Sequence, residues 1–142
     1  MVTEGTPTGF PATAFFSRTY DEALALTVEA RDYFDHAAPA ESREIGPATG
    51  LDFCRESSRL TTQLTQVMAW LLAQRAVHNG EMTLDEARSE GYRLSAADRC
   101  LTVADAKNAD LPPGLSSLLR RSTRLFRRVA QLDSMMDRDP LH

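Results

Sequence analysis

Apolar residues recur at three- and four-residue spacing along three stretches of this sequence. That is the period of an amphipathic helix, and no run shows the every-second-residue alternation of a half-buried strand. The first stretch opens at Thr19-Tyr20-Asp21-Glu22, a capping-box pattern in which hydroxyl and carboxylate satisfy orphan amides reciprocally. Tyr20, Ala23, Leu24, Thr27, Ala30 and Phe34 then form a stripe, predicting a helix over 19–36 that ends ahead of Pro39. The prolines and glycines between 37 and 50 read as a loop. Residues 51–79 contain neither Pro nor Gly and close on Asn79-Gly80, predicting one long helix. Its residues Phe53, Leu60, Leu64, Val67, Met68 and Leu71 fall within an arc of about 100° and form the expected core seam.

A second capping box, Thr83-Leu84-Asp85-Glu86, predicts a short helix closed by Gly91. Pro112 and Pro113 lead into a last helix over about 115–136, since proline is tolerated in a first turn. Leu115, Leu118, Leu119, Ser122, Leu125, Phe126, Val129 and Leu132 make its core arc. Together these elements predict an all-α fold. It is a three-helix antiparallel bundle with a short extra helix between the second and third long helices. A flexible N-terminal segment over 1–16, one helical-bundle domain over 17–136 and a short polar tail over 137–142 complete the expected organisation. Leu64, Val67, Leu71, Leu125 and Val129 are expected at its centre.

Two stripes lie outside the core arcs. On the long central helix, Arg59, Gln63, Gln66, Trp70 and Gln74 line up nearly opposite the apolar seam. Trp beside long polar side chains suits an isologous contact, so this is the expected dimer or partner face. The bland reading places Trp70 against the N-terminal segment or residues 92–110. On the last helix, Arg120, Arg121, Arg124, Arg127 and Arg128 occupy the side away from the core and form the expected partner-binding stripe. Fifteen arginines against the single Lys107 reduce the weight of any arginine cluster, and a solvated face pairing with nearby acids is the bland alternative.

Composition narrows the function more by exclusion. A chain of 142 residues with 42% hydrophobic and 25% charged residues is an ordinary globular domain. The net charge of -4 argues against a surface given over to nucleic acid. No apolar run approaches the roughly 20 residues of a membrane span, and no leader pattern opens the chain, so a cytoplasmic location is expected. None of the phosphate-binding, nucleophile-elbow or metal-ligand motifs occurs, so no catalytic residue, cofactor or metal is expected. His36, His78 and His142 sit at expected helix ends or the terminus, Cys54 and Cys100 read as small buried hydrophobes, and the pairs Asp21 and Glu22, Asp85 and Glu86 belong to first helical turns.

Several segments resemble a known family. Phe15-Phe16-Ser17-Arg18-Thr19-Tyr20-Asp21-Glu22-Ala23-Leu24, the run Glu56-Ser57-Ser58-Arg59-Leu60-Thr61-Thr62-Gln63-Leu64, and above all Val67-Met68-Ala69-Trp70-Leu71-Leu72-Ala73-Gln74-Arg75-Ala76 are similar to segments of the RcdA family, the regulators of CtrA degradation in alphaproteobacteria. Arg124-Leu125-Phe126 and Arg128-Val129 resemble its third helix. The resemblance implies a three-helix bundle, a homodimer and no enzymatic activity. It implies an adaptor that helps deliver regulators such as CtrA to the ClpX/ClpP protease alongside a CpdR-like response regulator. It also implies a tail longer than the nine residues that follow Asp133. The leading expectation is thus a non-enzymatic adaptor or scaffold in regulated proteolysis, and the alternative a nucleic-acid-binding regulator using the arginine face.

Overall fold

The computed structural model describes residues 6–88, 94 and 111–137, and among these are helices and turns but no strand. The chain runs through α1 (Thr6–Asp32), a π-helical turn (Tyr33–Ala37), α2 (Ala38–Arg43), α3 (Pro47–His78), the short α4 (Leu84–Ala87) and α5 (Pro113–Asp137). No described helix is long and apolar enough to cross a membrane.

The first helix departs from expectation at both ends. It begins at Thr6 and not at Thr19, so the segment read as a lead-in is helical from Thr6 onward. Thr19 is buried inside the helix and caps nothing. Asp21 and Glu22 therefore do not sit in a first turn. At the other end Pro39 does not stop the helix. Proline has no N–H, and its ring crowds the carbonyl four residues back in regular α geometry. The π turn inserts one extra residue, Ala38 N–H bonds the Tyr33 carbonyl five residues back, and Pro39 falls in the first turn of α2, where no donor is missed. The expected loop over 37–50 shrinks to the few residues before Pro47, which opens α3 behind the extended Gly46.

At 1.5 Å per residue α3 is about 48 Å long. Its C-terminus is closed as Asn79-Gly80 predicted. Gly80 takes a φ of 79°, its N–H bonds the Val77 carbonyl at 3.1 Å, and Glu81 N–H reaches the Ala76 carbonyl at 2.8 Å, the paired bonds of a Schellman end. The second capping box is also present: Glu86 N–H donates to Thr83 Oγ1 at 3.1 Å and Thr83 N–H to Glu86 Oε1 at 2.8 Å.

Ala23, Leu26 and Ala30 of α1, Leu60, Leu64, Val67 and Leu71 of α3, and Leu115, Leu118, Leu125, Phe126 and Val129 of α5 build one core. All five residues expected at its centre are buried, while Met68 and Leu132 are half-buried at its margin. Orientation differs from a wholly antiparallel bundle. Glu22 meets Arg128 and Glu29 meets Arg121, so α1 and α5 run antiparallel. Phe16 packs on Trp70 and Phe34 lies beside Ser57 and Thr61, so α1 and α3 are antiparallel too. Gln63 meets Thr123 and Trp70 meets Asp133, which makes α3 and α5 parallel. An extended chain covers about 3.3 Å per residue, so residues 79–112 suffice to return to the end at which α3 begins.

Tyr33 locks that end. Its phenol donates to Glu41 Oε1 at 2.7 Å and accepts the backbone N–H of Leu115, an orphan donor of the first turn of α5. Burial and then the neighbouring Glu41 carboxylate push the phenol well above its ordinary value. Its ring lies against Gly114, where an added Cβ would stand 2.5 Å from Tyr33 Cε1.

Two outcomes follow for chemical denaturation. Leu64→Ala or Leu71→Ala costs about 2–5 kcal/mol, the loss of a buried leucine plus the cavity left behind. Gly114→Ala, at an exposed-looking helix start where alanine is the better helix former, destabilises instead by about 1–3 kcal/mol because the Tyr33 ring has to move. A neutral or stabilising Gly114→Ala would show that the contact is slack.

Candidate protein-docking site

The long helix α3 is buried along two adjoining arcs. One faces α1 and carries Leu64 and Met68; the other faces α5 and carries Glu56, Gln63 and Trp70. Polar groups taken out of water there need partners. Gln63, fully buried, accepts a bond from Ser122 Oγ at 2.7 Å on Oε1 and donates from Nε2 to Thr123 Oγ1 at 3.3 Å. Seven residues further on, Trp70 donates its indole N–H to Asp133 Oδ1 at 2.9 Å, and both side chains are buried. Phe16 stacks edge-on against the same indole, with centroids 5.8 Å apart. Arg59 pairs with the buried Glu56 one turn away on its own helix.

The expected dimer or partner face is thereby corrected at its centre. Gln63 and Trp70 are internal to one chain, covered by α5 and by Phe16, because a second stripe on α3 serves a second neighbouring helix. Gln66 and Gln74 are half-buried beside them, and Gln74 lines a cavity of about 480 Å³ with Tyr20, Leu71, Arg75 and His78. The Arg75 guanidinium stands 5.2 Å over the Tyr20 ring.

The arginine stripe of α5 divides into unlike members. Arg121 holds Glu29 of α1 through two bonds, at 2.9 and 2.5 Å. Arg128 holds Glu22 of α1, at 2.7 and 3.4 Å. Arg120, Arg124 and Arg127 are exposed. Arg124 lies between the two pairs in a groove of about 260 Å³ that also includes Ala25 and Leu26. At least two of the five arginines, Arg121 and Arg128, are thus paired with acids of α1, as the bland reading of the stripe foresaw. Bonding to Arg121 holds the Glu29 carboxyl below its ordinary 4.5, and Glu29 raises the guanidinium in turn.

Elsewhere, Cys54 is exposed and not the buried hydrophobe expected, and Cys100 lies outside the described residues. His78 occupies the last turn of α3, as expected, while His36 falls in the π turn and His142 outside the described residues. Among the described residues no three His, Cys, Asp or Glu side chains gather as metal ligands. Sequence reading missed Glu22, Glu29 and Asp133 as partners. The one signal for the buried network was Ser122, a polar residue inside the apolar arc of the last helix.

The chain matches one family model and is similar to solved structures. The family model for proteins of unknown function DUF1465 matches residues 8–142. The crystal structure of RcdA from Caulobacter crescentus CB15 is similar at 40% identity and a TM-score of 0.70, covering 85% of this chain and 89% of that one. No curated protein matches.

Two substitutions test the geometry. Trp70→Phe keeps the ring but leaves the buried Asp133 carboxylate without the indole donor, and costs about 1–3 kcal/mol in denaturant. Glu29→Gln acts on pH dependence. A carboxyl whose pKa is depressed in the fold adds stability above its unfolded value near 4.5 and loses it as pH falls through the lower folded value. The variant should therefore show a shallower loss of stability below pH 4.5, a small change because the pair is about half exposed.

Proposed function

This chain belongs to the DUF1465 family, the family of RcdA, and we propose that it is a non-catalytic regulator of CtrA degradation that acts as an adaptor for the ClpX/ClpP protease. The similarity to RcdA at 40% identity along 85% of the chain carries this reading. The bundle adds physical support. Buried Gln63, Trp70 and Asp133 join α3 to α5, while Arg120, Arg124 and Arg127 are exposed on α5. The planar guanidinium fork suits the recognition of protein carboxylates, since two parallel bonds form for one set of side-chain torsions fixed.

The partners in this reading are the protease, a CpdR-like response regulator and a CtrA-like substrate, with the arginine stripe as docking surface. A homodimer belongs to the same reading, on a surface other than that of Gln63 and Trp70. Nucleic acid finds less support, because Arg121 and Arg128 are neutralised by α1 and the molecule carries a net charge of -4.

A reconstituted degradation assay tests the proposal. With ClpX, ClpP, a CpdR-like regulator and a CtrA-like substrate present, adding the chain should shorten substrate half-life. Arg120→Glu combined with Arg124→Glu should abolish that gain without loss of helicity. Equal half-lives with and without the chain would remove the adaptor role.

A further inference from the structure

The contact between α1 and α5 is a ladder with one rung missing. On α1, positions 22, 25 and 29 share one face by helical spacing; on α5, positions 128, 124 and 121 do the same. The helices are antiparallel, so 22 faces 128, 29 faces 121, and 25 faces 124. The outer rungs are closed by Glu22 with Arg128 and Glu29 with Arg121. The middle position on α1 holds Ala25, whose methyl reaches nothing charged. Arg124 is exposed there, with no acidic partner among the described residues, over a groove whose floor is the buried Leu26.

We propose that Arg124 is an acceptor site for one carboxylate side chain from an acidic segment of a partner protein, seated in the α1–α5 groove where Ala25 leaves room. The closed rungs act on either side as fixed walls. They engage Arg121 and Arg128 and leave a single guanidinium, that of Arg124, for the incoming group. Local charge favours an acid: Arg121, Arg124 and Arg128 against Glu22 and Glu29 leave one positive charge, enough to select a carboxylate. A run of phosphates would meet those two glutamates, whereas a single carboxylate between apolar residues would fit between them. Ala25 and Leu26 then offer apolar contact to the stem of a glutamate. This inference rests on the adaptor reading only for the identity of the partner.

Ala25→Glu is the decisive variant, because it completes the ladder from within. The new carboxylate sits between two glutamates on α1, but three arginines face it, so the fold should hold and melt no lower than the wild type. A labelled peptide of alternating Glu and Ala is the probe, titrated at low and physiological salt, with a Lys and Ala peptide as control. The wild type should bind the acidic peptide, and Ala25→Glu and Arg124→Gln should each weaken it about tenfold or more. Binding unchanged in both variants, or no binding by the wild type, overturns the site. So does duplex DNA that binds in place of the peptide and is lost in the same variants. In the degradation assay, variants that lose the peptide yet still shorten substrate half-life would leave the site standing and sever it from adaptor work.

Discussion

Gln63 and Trp70 send polar atoms into a seam between α3 and α5 that water does not enter, and the groups that answer them decide how α5 lies. A leucine seam tolerates sliding and rotation, because one methyl contact replaces another at little cost. A buried amide or indole N–H does not, since a lost bond costs the full desolvation of the group. Two such contacts, seven residues apart on α3, set both the axial position and the rotation of α5. Tyr33 sets its start, through the N–H of Leu115 and the close approach at Gly114.

Everything on the outer side of α5 inherits that placement. With Ser122 and Asp133 turned inward, the arginines face outward or toward α1. The antiparallel run of α1 then brings Glu22 and Glu29 to Arg128 and Arg121. The ion pairs are exposed and add little to stability. Their effect is on availability: they engage the guanidinium groups of Arg121 and Arg128 and leave Arg124 between them without an acidic partner among the described residues. A stripe that looks uniform on a helical wheel is therefore a graded surface.

This arrangement fits a protein whose work is to be recognised. Its titratable residues are engaged in ion pairs and hydrogen bonds or are spread over the surface, and the groove between α1 and α5 is lined by three arginines and two glutamates. Membership of the RcdA family and a rigid arginine-bearing rod point the same way, toward contacts between proteins in regulated proteolysis. The central helix gives that rod its stiffness, because α3 is gripped from two sides along most of its length.

The periodicity of apolar residues was enough to specify an all-α bundle, its long central helix, the Schellman end at Gly80 and the capping box at Thr83, because each depends on residues within one or two turns. The core residues Leu64, Val67, Leu71, Leu125 and Val129 were legible for the same reason. The resemblance to RcdA also lay in the sequence, in the run from Val67 to Ala76. Tertiary structure decided the rest. Pro39 could be read as a stop because proline ordinarily ends an α-helix, whereas the π turn over Tyr33–Ala37 places it in the first turn of α2. Thr19 matched a cap yet lies mid-helix, since the N-terminal residues propagate the helix back to Thr6. Trp70 looked like a contact for another molecule because a helical wheel shows which residues share a face but not how many neighbours the helix has. The pairing of Arg121 and Arg128, and the vacancy opposite Arg124, depend on the register between helices nearly a hundred residues apart. That register is set by buried partners across space, and no local spacing encodes it.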